Sequence, residues 1–218
     1  MQIGILGSGI VARALGHGFH ARGDTVIIGT RNPAAIPEDL ADWLAAHPNA
    51  RAGTFTQAAT DGELLVLAVK GSAATEALEL VGAAALGNKV LIDATNPISD
   101  EPPTDGVLSF FTSLGGSLME ELQRRYPDVR FVKAFNSVGA HLMVKPALSG
   151  GPPTMFICGN DADAKTATAA ILTAFGWETV DMGTAVAARA TEPLCMLWCI
   201  PGFLNNAWGH AFKLLRQV

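Results

Sequence analysis

Apolar residues come in continuous runs rather than alternating ones: Gln2 to Leu6, Thr25 to Gly29, Leu64 to Val69, Lys89 to Asp93, Arg130 to Ala134 and Met155 to Cys158. A strand that is apolar at successive positions is one buried on both faces. Helical periods lie between these runs. Val11, Leu15 and Phe19 share a face ahead of Gly23, and Ala41 to Ala46 and Ala73 to Ala85 also read as helix. Ser117 and Glu120 have capping-box spacing for a helix that ends before Pro127. Ala164, Thr168, Ile171, Leu172 and Phe175 share the apolar face of another helix, with Gly176 as its stop and Glu178 to Asp181 as a last strand. Residues 184–218 read as mostly helical, with a break near Pro201-Gly202. Strands that alternate with helices predict an α/β fold, a doubly wound and mostly parallel sheet over residues 1–183. A short helical extension over 184–218 is expected to pack on that domain or on a partner subunit.

Composition narrows the function classes. Of 218 residues, 49% are hydrophobic and 16% charged, which excludes global disorder. Fifteen Lys and Arg against twenty Asp and Glu give a net charge of −5, a poor balance for gripping nucleic-acid phosphates. Three cysteines make no disulfide framework and the N-terminus has no signal-peptide pattern, so a reducing cytoplasm is the expected compartment. Pro193 to Phe212 carries no Asp, Glu, Lys or Arg, but Pro193, Pro201, Asn205, Asn206 and His210 interrupt it. Each would be costly in hydrocarbon, so the run reads as buried helix or subunit contact and no membrane span is expected. A homodimer that uses this run follows from its apolar character.

The candidate chemistry starts at the first strand. Gly7-x-Gly9-x-x-Ala12 follows that strand directly and opens a helix, the context in which such a turn binds a dinucleotide. Gly7 permits the turn, Gly9 lets a pyrophosphate approach, and Ala12 keeps helix and strand close. The N–H groups of Ser8, Gly9, Ile10 and Val11 then face the phosphates. An NAD site places an acid at the end of the second strand, whereas this strand ends in Thr30, Arg31 and Asn32, a hydroxyl, a cationic fork and an amide suited to the 2′-phosphate of NADP(H). Ligands of a doubly wound sheet lie beyond its carboxyl ends. That adds Ala68, Val69 and Lys70, then Asn96 and Pro97, then Ala134, Phe135 and Asn136. The two asparagines are candidates for the ribose or carboxamide, and Phe135 for packing on a ring. No acid–base pair stands out, and His141 is the one candidate for direct contact with the substrate. Arg189 and Glu192 read as a helix-surface pair. Cys195 and Cys199 share a helical face, but two thiols alone make a poor metal site and no metal is expected.

Ile5-Leu6-Gly7-Ser8-Gly9, Gly29-Thr30-Arg31, Asp93-Ala94-Thr95-Asn96-Pro97, Val132-Lys133-Ala134-Phe135-Asn136 and Met155-Phe156-Ile157-Cys158-Gly159 together resemble the NADPH-dependent reductases of the deazaflavin coenzyme F-420. The resemblance covers most of residues 1–183 and is weakest over 184–218. It implies a Rossmann-type domain that exchanges a hydride between NADP(H) and a deazaflavin stacked near the nicotinamide, with a flavin as the alternative co-substrate. Two other readings compete. One is an imine or keto-acid reductase, which would need a longer helical second domain. The other is a non-enzymatic NADP(H)-binding sensor or adaptor, which would not support NADPH turnover.

Overall fold

The computed structural model describes residues 1–217. In chain order the elements are β1 (Gln2–Leu6), α1 (Ile10–Ala21), β2 (Thr25–Thr30), α2 (Glu38–Ala46), β3 (Ala50–Thr54), α3 (Phe55–Asp61) and β4 (Leu64–Leu67). They continue with α4 (Ala74–Val81), α5 (Ala83–Leu86), β5 (Val90–Asp93), α6 (Leu118–Arg125), β6 (Arg130–Lys133) and β7 (Thr154–Ile157). The last are α7 (Ala162–Ala174), β8 (Glu178–Asp181), α8 (Ala188–Thr191) and α9 (Leu194–Asn205). Six parallel strands form one sheet in the order β3-β2-β1-β4-β5-β6. This is the Rossmann order, with its crevice where the winding reverses beside β1.

The continuous apolar runs have the anticipated cause. Ile3, Ile5, Val26, Ile28, Val66 and Ile92 face one side, against Leu15 and Phe19 of α1 and Ile171 and Leu172 of α7. The alternate positions Leu6, Ile27, Leu65, Leu67, Leu91 and Phe131 face the other, against α3, α4 and α6. At Gly4 a Cβ would lie 2.1 Å from the Ala58 carbonyl oxygen, so α3 rests on bare backbone.

Several elements depart from the sequence expectation. β3 and α3 were not anticipated. β3 is a short edge strand, Ala-Arg-Ala-Gly-Thr, without an apolar run, and α3 opens on a capping box between Thr54 and Gln57. The helix expected over Ala73 to Ala85 is split at Gly82, whose φ of 80° no helix accommodates. β7 and β8 form a separate two-stranded parallel sheet, joined to β6 by an antiparallel bridge between Lys133 and Cys158.

The C-terminal region also differs. α9 runs through Pro201 instead of breaking there, and the residue left without its helical donor, Leu197, is exposed to solvent. The chain reverses at Asn206, in the left-handed region with φ 52°, and residues 206–217 form a strap with no helix. Trp208 lies over Gly202, and Trp198 and His210 bond each other's carbonyls, Nε1 to O at 2.8 Å and Nε2 to O at 3.0 Å. The strap then docks on β7, where the Thr154 N–H donates to the Phe212 carbonyl at 2.8 Å. Part of the charge-free run thus packs against its own chain, with Cys195, Trp198 and Gly202 buried. Among the described residues no helix is long and apolar enough to cross a membrane.

Candidate functional site

The turn after β1 has the geometry its glycines require. Gly7 has φ 132°, and a Cβ there would meet the Ala68 carbonyl oxygen at 2.4 Å. At Gly9 a Cβ would have nothing within 4 Å, which leaves open the approach a pyrophosphate needs. No side chain caps α1, so its first N–H groups keep their capacity to bind an anion, with the helix dipole behind them. Ala12 is fully buried against the sheet.

At the end of β2, Thr30 is half-buried and Arg31 and Asn32 are exposed. The Asn32 side chain accepts from the Ala34 N–H at 3.3 Å, which shapes the turn. Beyond β4, Ala68 is buried and Val69 half-buried, while Lys70 is exposed and ion-paired with Asp100.

The ends of β5 and β6 meet above the sheet. Asn96 Nδ2 donates to the Asn136 carbonyl at 2.7 Å, and Asn136 Nδ2 donates to the Thr191 carbonyl at 2.7 Å and to Asn96 Oδ1 at 3.3 Å. The two amides are therefore spent largely on holding the strand ends and α8 together. Pro97 and Ala134 are buried beside them. A cleft of ≈ 310 Å³ opens here, bordered by Ile10, Asn96, Asn136, His141, Trp198 and Cys199. His141 stands exposed on the rim, in the turn Ala140–Leu142.

Phe135 requires a correction. Its ring is 1% exposed, packed in the core 6.1 Å from the Phe175 ring, and so is not presented for stacking in the cleft. Its backbone takes the left-handed conformation, φ 63°, and its N–H donates to Met155 Sδ. Such a conformation costs a non-glycine residue roughly 1 kcal/mol or more. Ile10, Val11, Asn96, Asn136 and His141 converge on this cleft, with the buried Phe135 only part of its wall, whereas Thr30 to Asn32 and Ala68 to Lys70 do not line it.

The most heavily charged feature near the cleft was missed. Lys133 is fully buried, with Nζ 2.7 Å from Asp93 Oδ2, 2.8 Å from Glu192 Oε1 and 2.9 Å from the Thr95 carbonyl. Burial opposes its charge, but the two carboxylates prevail and push its pKa up to about 12. Asp93 and Lys133 are register partners on neighbouring strands, a signal that was readable. Glu192 had no local signal, and its expected surface pairing with Arg189 is overturned. It is buried and accepts from the N–H groups of Leu118 and Met119, each at 3.0 Å, at the start of α6. Arg189 instead grips Glu120 with two nitrogens, at 2.9 and 2.7 Å, and holds that carboxyl below its usual range. Glu120 in turn accepts from the Ser117 hydroxyl, so only half of the expected capping box forms, the Ser117 oxygen accepting from the Glu120 N–H.

The thiols are not activated as nucleophiles in the core. Burial pushes Cys158 up to about 11. Contact with Cys199 and burial both raise Cys195. Among the described residues no three His, Cys, Asp or Glu side chains are grouped so as to hold a metal.

Residues 2–97 match the family described as NADP oxidoreductase, coenzyme F420-dependent. A crystal structure from Arthrobacter sp. FB24, provisionally described as an F420-dependent NADP-reductase, is similar over 99% of this chain and 100% of its own, with 33% identity and a TM-score of 0.92. The chain belongs to this family. It is an NADP-dependent oxidoreductase. Metalloreductase STEAP3 of Rattus norvegicus is 30% identical over 231 residues, which cover 100% of this chain and 42% of that protein. This oxidoreductase thus spans less than half the length of that relative. An imine reductase from Streptomyces aurantiacus shares the fold, with a TM-score of 0.66 at 18% identity over 94% of this chain and 63% of that one.

Proposed function

We propose that this oxidoreductase moves a hydride between NADP(H) and a flat redox co-substrate, a deazaflavin or a flavin, bound in the cleft beside His141. One observation carries the reading. Ile10, the first residue of α1, borders that cleft, so the phosphate-binding turn and the redox cleft adjoin. NADP(H), when bound, supplies the hydride. The uncapped N–H groups of Ser8 to Val11 hold its pyrophosphate, and the unoccupied space at Gly9 admits it. Arg31 and Thr30 hold the 2′-phosphate at the end of β2. Asn96 and Asn136, locked to each other, keep the cleft floor rigid, and Ile10 and Trp198 line it with apolar surface that displaces water. Such transfer requires distance and orientation rather than a strong acid or base.

Two further parts of the reading concern setting. Exposed Leu197, Phe203 and Leu204 on α9 support a homodimer through that helix. Free thiols support a reducing, cytoplasmic compartment. The test is absorbance-monitored NADPH oxidation with deazaflavin, flavin, quinone and ferric acceptors in parallel. Turnover with the flat ring acceptors supports the reading. NADPH binding with no oxidation by any of the four would favour a sensor.

A further inference from the structure

Beside the redox cleft lies a second cavity of ≈ 470 Å³, between α1, α2 and the turn Ala140–Leu142. The two share Ile10, Ala140 and His141, so they adjoin. The second is lined by Arg13, His17, Trp43, His47 and His141, with no carboxylate among the lining residues. From this lining we infer that the cavity is a subsite for an anionic appendage, a phosphate or carboxylate, carried by the flat co-substrate whose ring occupies the cleft. This inference rests on the hydride-transfer reading above.

The histidines form a connected unit. His47 Nδ1 lies 2.6 Å from the Trp43 carbonyl, and that contact requires Nδ1 to carry the proton. His47 Nε2 is therefore the acceptor of the 3.0 Å bond from His17 Nδ1. That leaves His17 Nε2 as the nitrogen with a free lone pair. It can take up a proton without breaking the chain of bonds, and the ring so charged faces a cavity without acids. The Trp43 indole stacks on the His47 ring at 4.0 Å and holds it in that orientation.

The surrounding charges agree. From α1 come Arg13, His17 and His20, from α2 Asp39, from its C-cap His47, and from the segment after β6 His141 and Lys145. Asp39 is engaged by Arg13 at 2.8 Å, so each largely offsets the other, and selectivity falls to the histidines. Burial, and after it the neighbouring His47, His20 and Lys145, hold the His17 pKa below the usual histidine value. His17 is then largely neutral in the free protein at neutral pH. An anion reverses that balance, so binding takes up a proton and tightens as pH falls.

The test uses two probes with the same ring, FMN and riboflavin, the first bearing a phosphate. Their dissociation constants are measured by flavin fluorescence with NADP⁺ saturating, so that the dinucleotide site is blocked, at about pH 6 and about pH 8. FMN should bind at least about tenfold tighter than riboflavin near pH 6. Its advantage should shrink near pH 8, although its phosphate is then more highly charged. His17→Ala should remove both the advantage and its pH dependence, with riboflavin and NADP⁺ affinities kept to within about twofold. Equal binding of the two probes, binding of neither, or an advantage that survives His17→Ala would overturn the inference. NADP⁺ affinity is titrated separately. If NADP⁺ binds and the two flavins do not differ, the subsite alone fails; if NADP⁺ does not bind, the hydride-transfer reading fails.

Discussion

Arg31 stands exposed at the end of β2 with no acid beside it in the strand end, and its planar fork has the geometry for a phosphate. Arg31→Ala is expected to cost about 1.5–3 kcal/mol of NADPH binding and to leave NADH nearly unchanged, as read by calorimetric titration of both. Equal losses would remove the 2′-phosphate contact. Gly9 has φ −74°, which any residue can adopt, so Gly9→Val should fold normally while its branches fill the open approach and abolish dinucleotide binding. Unchanged NADPH affinity in a folded variant would take this turn out of the site. Asn136, beyond the end of β6, is held in bonds within the protein. Because its amide donates to Asn96 and Thr191, Asn136→Ala should show first as a loss of about 1–3 kcal/mol in urea denaturation, from buried carbonyls left unpaired. His141 lies at the rim without a fixed partner, so His141→Ala should slow single-turnover transfer by less than about tenfold, below the contribution of a general acid.

The ends of β5 and β6, the start of α6 and the residue after α8 are joined by Lys133, Asp93 and Glu192. All three are fully or nearly fully buried, and removal of one partner leaves an uncompensated charge. Lys133→Met and Glu192→Ala should each lose about 3–5 kcal/mol in chemical denaturation. Losses under about 1 kcal/mol would mean that the cluster is hydrated rather than buried. At Cys158, on the bridge to β6, the fold keeps the thiol protonated up to about 11. The unfolded thiol ionises near its ordinary value of about 8.5, so this contribution is complete below that pH and is lost as pH rises toward the folded value. Iodoacetamide at about pH 8 should accordingly label Cys199, half-buried at the cleft, and spare Cys158 in the native protein. At this scale the sequence was uneven. β1, β4, β5 and β6 were readable because strands buried on two faces must be apolar throughout. β3 was not, because an edge strand carries no such run. α9 defied its proline because the interrupted turn is on the solvent side, and the strap after Asn206 is held by contacts with Gly202, Trp198 and Thr154 that no local pattern encodes.

For the whole molecule, the winding followed from the alternation of runs, and the placing of the candidate residues that share the cleft followed from the winding. Strand ends are necessarily brought to one edge, which is why Ile10, Asn96, Asn136 and His141 share a cleft. What did not follow is which side chains point into it. Phe135 turned to the core because its backbone is left-handed, and Glu192 turned to Lys133 because a buried cation must be matched. The folding-back of residues 193–212 buries Trp198, but Leu197, Phe203 and Leu204 remain outward, and they are the surface a second copy would cover. A dimer at micromolar concentration is expected in sedimentation velocity, and Leu197→Glu with Leu204→Glu should dissociate it without loss of fold. A wild type that sediments as a monomer would confine α9 to intramolecular packing. The central claim is direct hydride transfer across the cleft. It is tested most directly by rapid mixing of the enzyme and an oxidised deazaflavin with NADPH deuterated at C4 of the nicotinamide, followed by mass analysis of the reduced deazaflavin. The label should appear on the deazaflavin's reduced carbon in a single turnover, without dilution by solvent protons. Reduction with the label lost to water, or no reduction in a protein that binds NADPH, would contradict the account.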